Sequence, residues 1–254
     1  QIHNIFGKQL NFRMKNHREA EFLGGKRSRF KEFKSLLSIV FEFVHGFRKL
    51  HFVNPCITFF GSARFGEANL YYQQAREFAQ LMAKNGFTII TGGGSGIMEA
   101  ANRGAKDVAG KSIGCNITLP KEQQPNLYLD FNITLNHFYV RKVLLLKYSY
   151  AFVVFPGGFG TMDELFETLT LLQTNKIADF PVVLFGKDYW SNLVEQIDKM
   201  QKLGTICEKD VQLFLVTDSV SEGVNYIYKE LEFKYGAPLK IKTSKIRWWL
   251  GEKA

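Results

Sequence analysis

Short apolar runs and amphipathic stretches alternate along most of the chain. The runs "CITFF" (56–60), "FVVF" (152–155) and "PVVLF" (181–185) are almost wholly apolar. Strands have that composition when both faces are buried, as in a parallel sheet covered by helices. "FTIIT" (87–91), "KSIGCNIT" (111–118), "ITLN" (133–136) and "FLVTD" (214–218) read as four further strands. Between them, apolar residues recur at helical spacing in 68–86, 138–149, 160–176, 189–204 and 219–232, and a further helix follows the glycines at 92–96. Gly86 stands where the first of these helices should stop. Strands alternating with helices predict an α/β fold with a doubly wound, Rossmann-like parallel sheet.

Ahead of this rhythm the pattern changes. Residues 1–25 are basic, lack periodicity and end in Gly24-Gly25, so they read as an arm. From 26 to 50, Phe33, Leu36, Leu37, Val40, Phe41, Val44 and Phe47 fall on one helical face. Such a stripe needs cover, from the main domain or from a second subunit. The expected organisation is a basic extension with an amphipathic helix (1–54), a nucleotide-binding catalytic domain (55–239) and a basic tail (240–254), its Trp248 and Trp249 anchoring it to the domain.

Composition narrows the function class. The chain has 254 residues, of which 46% are hydrophobic and 24 are phenylalanine, enough for a large core. The formal charge of +9 is concentrated at the two ends. It suits nucleic acid, an acidic surface or a phosphorylated small molecule. No recognised nucleic-acid motif accompanies it, which disfavours the first. Cys56, Cys115 and Cys207 form no Cys-x-x-Cys pair and no disulfide framework, so no zinc site of that kind is expected and a reducing cytoplasm is. The run "SLLSIVFEFVHGF" is too short to span a bilayer and contains Glu42 and His45.

Three glycine turns follow predicted strands, at Gly61-Ser62, at Gly92 to Gly96 and at Gly157 to Gly160. In an open parallel sheet, ligands bind beyond the carboxyl ends of the strands. Glycine lets the backbone approach a ligand, and a helix that follows offers unpaired amides to an anion. Gly157, Gly158, Gly160 and Thr161 therefore read as a phosphate cradle, with the Thr161 hydroxyl as an added donor. Familiar phosphate loops do not fit. A Walker A loop ends in Gly-Lys-Ser/Thr, and these turns have no such lysine. A dinucleotide fingerprint needs a third glycine where Glu99 stands.

"PGGFGTMDE", from Pro156 to Glu164, resembles the Pro-Gly-Gly-x-Gly-Thr-x-x-Glu motif of the Lonely Guy family. "TGGGSGIMEAANRGA" (91–105) is similar to that family's earlier glycine loop, and Arg141-Lys142 to its Arg-Lys pair. The resemblance spans roughly 55–232. It implies a phosphoribohydrolase that cuts the N-glycosidic bond of a nucleoside 5′-monophosphate, a cytokinin nucleotide or an AMP-like one. The products are free base and ribose 5-phosphate, and no cofactor or metal is required. The family's old label, lysine decarboxylase, finds no support, since no lysine is marked as a Schiff-base former.

The resemblance also implies roles. Glu164 is the catalytic carboxylate, in the first turn of its helix and favoured in ionised form by the helix N-terminus. It would stabilise the cationic sugar or orient water. Arg141 is its positive partner, or holds a phosphate or ribose oxygen. Gly61 and Ser62 lie beside the ligand; Gly93, Gly94, Gly96 and Met98 border base and sugar. Lys142 belongs to the binding set, and Glu99 is a ribose or base contact, although shorter family members have a small residue there. Family habit adds a homodimer or larger assembly. Two competing readings on the same fold are a non-catalytic nucleotide or cofactor carrier, whose members lack the Arg and Glu, and a sensor of a signalling nucleotide.

Overall fold

The computed structural model describes residues 18–119, 124–178 and 180–236. The tail 240–254, with its two tryptophans, and most of the arm lie outside the described residues. Seven strands form one sheet: β1 (Cys56–Phe60), β2 (Thr88–Thr91), β3 (Ser112–Ile117), β4 (Phe131–Leu135), β5 (Ser149–Val154), β6 (Val182–Phe185) and β7 (Leu215–Thr217). Their order is β4-β3-β2-β1-β5-β6-β7, and every pairing is parallel. The chain winds outward from β1 in one direction, then returns to β5 beside β1 and winds out in the other. The switch point therefore lies between β1 and β5, where Phe59 pairs with Val153 and Phe60 with Val154.

The helices are α1 (Arg18–Leu23), α2 (Arg29–Leu50), α3 (Leu70–Lys84), α4 (Ile97–Lys106), α5 (Phe138–Tyr148), α6 (Phe159–Gln173), α7 (Lys187–Lys202) and α8 (Val220–Tyr235). Two cores sandwich the sheet. Ile57, Phe59, Val153, Phe155, Val183 and Phe185 point to one face, against α3, α4 and α8. Phe60, Phe152, Val154, Val182 and Leu184 point to the other, against α2, α5, α6 and α7. Successive strand residues face opposite sides, so an apolar residue is needed at almost every position. This is why these strands lack a polar face. No described helix is long and apolar enough to cross a membrane.

Two readings of the extension change. Within the stretch taken as an arm, residues 18–23 form α1, too short to show periodicity. The stripe on α2 is not what docks. Ile39, Glu42, Phe43, Gly46 and Leu50, at spacings of three and four, face the domain. Gly46 is required there, because a Cβ would strike the Leu144 side chain of α5. Phe33, Leu36, Leu37, Val40, Phe41, Val44 and Phe47 remain exposed within the chain. The apolar stripe is broad enough that sequence alone does not say which edge of it meets the domain.

Candidate active site

The three glycine turns meet at the switch point. The Ser62 amide donates to the Pro156 carbonyl (2.9 Å), tying the turn after β1 to the turn after β5. The Ile97 amide donates to the Ser62 carbonyl (3.0 Å), and the Ser95 hydroxyl to the Ala63 carbonyl (2.8 Å). Gly96 has φ +70°, and a Cβ there would collide with the Ser62 and Ala63 backbone. The cleft left between the turns has a volume of about 550 Å³, in the range of small-molecule sites. Gly61, Ser62, Met98, Arg141, Gly158 and Thr161 line it, with Phe159 and Gly160. A larger groove, about 840 Å³, lies between α2 and the end of β4. It is away from the switch point, and the glycine cleft is the one that the sheet topology designates.

The glycines divide into two kinds. A Cβ on Gly61 would press into Ile97 at 2.8 Å, and one on Gly157 would collide with Thr161. Packing demands those two. Gly158 and Gly160 have nothing within 4 Å of an added Cβ, and neither has a positive φ. The fold does not require glycine at either place, and both border the open cleft. Gly158 caps α6, and its carbonyl accepts from the Thr161 (3.0 Å) and Met162 (3.1 Å) amides. The Phe159 and Gly160 amides lead the helix, where no intrahelical carbonyl precedes them. Unlike the Thr161 amide, they have no acceptor within the turn or the helix among the described residues. The Tyr189 hydroxyl of α7 donates to the Gly157 carbonyl and steadies the turn.

Arg141 and Glu164 stand together. Arg141 Nη2 lies 3.4 Å from Glu164 Oε1, and the side chains are 14% and 5% exposed. This is long for a charge-assisted bond, which is normally about 2.7–2.9 Å. The Arg141 guanidinium also rests over the Phe138 ring at 5.1 Å, and its Nε is buried with no partner among the described residues. Glu164 is not in the first turn as expected. The helix begins at Phe159, one residue before the expected opening, so Glu164 is its sixth residue. There the helix N-terminus has little hold on it. Burial pushes its carboxyl up to about 7, against the pull of Arg141 and Lys142 downward. Burial thus works against holding Glu164 firmly as the anion near neutral pH. Cys115 lies near this pair, but burial pushes its thiol up to about 12, so it packs and does not attack.

Besides Gly96 and Gly157, which pack within the turns, four expected site residues do not line the cleft. Gly93 and Gly94 are buried behind the cleft. The Asn126 amide group donates to the Gly94 carbonyl (2.9 Å) and to Asn102 Oδ1 (3.0 Å), and the Gly93 amide donates to the Thr91 hydroxyl (2.9 Å). They shape the loop from behind. Glu99 turns to α3, where it accepts from the Tyr72 hydroxyl at 2.9 Å. Lys142 points to the outer side of α6, bridging Asp163 (2.8 Å) and Glu167 (3.1 Å). It braces α5 against α6. Arg141 and Lys142 are neighbours on a helix, and a rotation of about 100° per residue sends them to different sides. Asn102, Asn126 and Tyr189 were not expected. Asn102, fully buried on α4, had a signal in its polarity amid "EAANRGA".

Residues 98–227 match the family model described as "possible lysine decarboxylase". A cytokinin riboside 5′-monophosphate phosphoribohydrolase of Arabidopsis thaliana, LOG4, is 28% identical over 207 residues, covering 79% of this chain and 91% of that protein. A probable enzyme of the same name from Oryza sativa subsp. japonica, LOGL2, is 27% identical over 78% of this chain and 79% of that protein. Among solved structures, the molybdenum cofactor carrier protein of Chlamydomonas reinhardtii is 26% identical, with a TM-score of 0.51 over 70% of this chain and 98% of that one. The molybdenum cofactor binding protein of Rippkaea orientalis is 25% identical, with a TM-score of 0.52 over 69% and 96%. The match to half of the chain, the glycine cleft at the switch point and the motif from Pro156 to Glu164 agree: the chain belongs to the possible lysine decarboxylase family, the Lonely Guy family.

Proposed function

We propose that the chain hydrolyses the N-glycosidic bond of a nucleoside 5′-monophosphate, AMP-like or a cytokinin nucleotide, to free base and ribose 5-phosphate. The observation that carries this reading is the buried Arg141–Glu164 pair at the wall of a cleft with open glycine positions. The Phe159 and Gly160 amides and the clear face of Gly158 receive the phosphate. That places the ribose near the pair. Arg141 is loosely held and has a spare donor, so it can engage a phosphate or ribose oxygen. Glu164, in its ionised form, then faces the positive charge that builds on the sugar as the bond to the base breaks. A carboxylate poised near 7 can also take the proton from the attacking water. Water adds its hydroxyl to C1′ and its proton leaves on the base.

The test is a panel of nucleoside monophosphates, assayed for free base by chromatography. Glu164→Gln should nearly abolish base release while AMP affinity stays within about tenfold, roughly 1.4 kcal/mol. Base release by Glu164→Gln at the wild-type rate would remove Glu164 from the chemistry.

The likeness to molybdenum cofactor carriers supports a second reading, a non-catalytic carrier of that cofactor. Retention of the Arg141–Glu164 pair favours the enzyme. A wild-type chain that binds the cofactor and releases no base from any monophosphate would favour the carrier. The exposed apolar stripe of α2 supports a homodimer as the working unit. The cysteine pattern, two buried thiols and one exposed, supports a reducing compartment, the cytoplasm.

A further inference from the structure

The N-terminal extension reaches the start of the helix that carries Arg141. Glu42 of α2 has its side chain 11% exposed and its two oxygens fully engaged there. Its Oε2 accepts from the Asn136 amide (3.1 Å), and its Oε1 from the Asn136 side-chain amide (2.9 Å) and His137 Nδ1 (3.1 Å). Glu19 of α1 accepts from the Phe138 amide at 3.1 Å. Phe22 of α1 packs edge-on to the His137 ring at 6.5 Å. His137 is the N-cap of α5 and makes no side-chain capping bond to its own helix. The cap on the first amide of α5 therefore comes from a different part of the chain, Glu19, and Glu42 holds the N-cap side chain and the residue before it, both carboxylates where the helix dipole favours them.

Arg141 is one turn away. Its amide donates to the His137 carbonyl (3.2 Å), and its guanidinium rests on the Phe138 ring. Of the three residues gripped by Glu42 and Glu19, two, His137 and Phe138, are thus the ones that hold Arg141 from below. We infer that Glu42, with Glu19, is a positioning residue for Arg141: the extension clamps the first turn of α5 and so aims the guanidinium at Glu164 and the glycine cleft. The inference rests on the phosphoribohydrolase reading of that cleft. Without the clamp, Asn136 and the buried His137 lose their acceptor, the first turn of α5 loosens and Arg141 loses its fixed direction. Nothing about Glu42 touching the ligand is implied; its nearest effect is through the helix.

The experiment is a kinetic cycle on the full chain, using the monophosphate that yields most base. Glu42→Ala should lower kcat by about tenfold to a hundredfold, the scale of an ångström-sized misplacement, with KM moving less than about threefold. In an Arg141→Ala background the same substitution should have no further effect. Glu42→Gln, which keeps the reach and one of the two acceptor oxygens, should lower kcat less than Glu42→Ala does. Asn69→Ala, which removes the side-chain cap of α3, serves as a stability control and should lower Tm without lowering kcat. Wild-type kcat in Glu42→Ala, or an undiminished effect in the Arg141→Ala background, overturns the inference. If Glu42→Ala does not fold, Glu42→Asp and Glu19→Ala carry the test: both should lower kcat, and wild-type kcat in both overturns it. If the wild type releases no base, the catalytic reading fails by itself, and the cycle is read by AMP calorimetry. An Arg141-dependent loss of affinity in Glu42→Ala then supports the clamp, and an unchanged or absent AMP affinity overturns it.

Discussion

Glu164 should leave a signature in stability as well as in turnover. Its carboxyl ionises near 4.5 in the unfolded chain and near 7 in the folded one, because burial disfavours the charge more than Arg141 favours it. The sign is opposite to that of most acidic residues. Below pH about 4.5 both states hold the proton and the group has no effect. Between 4.5 and 7 the unfolded chain releases a proton that the folded chain retains, so stability falls as pH rises. Above about 7 both are ionised and the loss is complete. At about 1.4 kcal/mol per pH unit, the interval amounts to about 3 kcal/mol. Glu164→Gln cannot ionise and has the same shape, so it removes this loss. The assay is urea denaturation of both proteins at steps from pH 5 to 8. The difference between them should grow in favour of Glu164→Gln through this range and level off above 7. A difference that stays flat would refute the claim that burial dominates at this site. If Arg141 outweighed burial, the folded pKa would fall below 4.5, and the wild type would gain on Glu164→Gln only at pH below about 4.5.

Gly158→Val should fold normally, since its Cβ meets nothing within 4 Å, yet weaken AMP binding by filling the cradle; Gly157→Ala should instead lower Tm, because its Cβ collides with Thr161, and calorimetry with thermal melts separates the two. Arg141→Ala should lower kcat and move the pH-rate limb of Glu164 upward, because the guanidinium is what pulls that carboxyl down; an unmoved limb in a kcat-pH profile would count against the pairing. Phe41→Asp, on the exposed stripe of α2 where Phe41 is 70% accessible, should shift the proposed homodimer toward monomer in light scattering at micromolar concentration, and no shift would remove that stripe from the proposed interface.

The almost wholly apolar runs at 56–60, 152–155 and 182–185 read as strands buried on both faces, and β1, β5 and β6 are such strands. The spacing of the glycine turns placed three loops at one sheet edge, because every parallel strand ends on the same side. The motif from Pro156 to Glu164 likewise marked its helix, since glycine spacing and a carboxylate are local features. All of this depends on neighbours in sequence.

What the sequence could not decide depends on groups far apart in the chain. Lys142 beside Arg141 looks equivalent in sequence, and only the direction of each side chain on α5 separates the cleft-lining residue from the brace on Asp163 and Glu167. Glu99 follows the second glycine loop directly, but Tyr72, 27 positions earlier, captures it. The charge of Glu164 is set by how much water the packed helices exclude, and composition is silent on that. Glu42 shows the same limit. Within "SLLSIVFEFVHGF" it was simply a polar interruption, yet it meets Asn136 across 94 positions. Hydrogen bonds across such separations need the backbone in place first. Tertiary structure therefore decides which of the chemically able residues face the cleft, and with what charge.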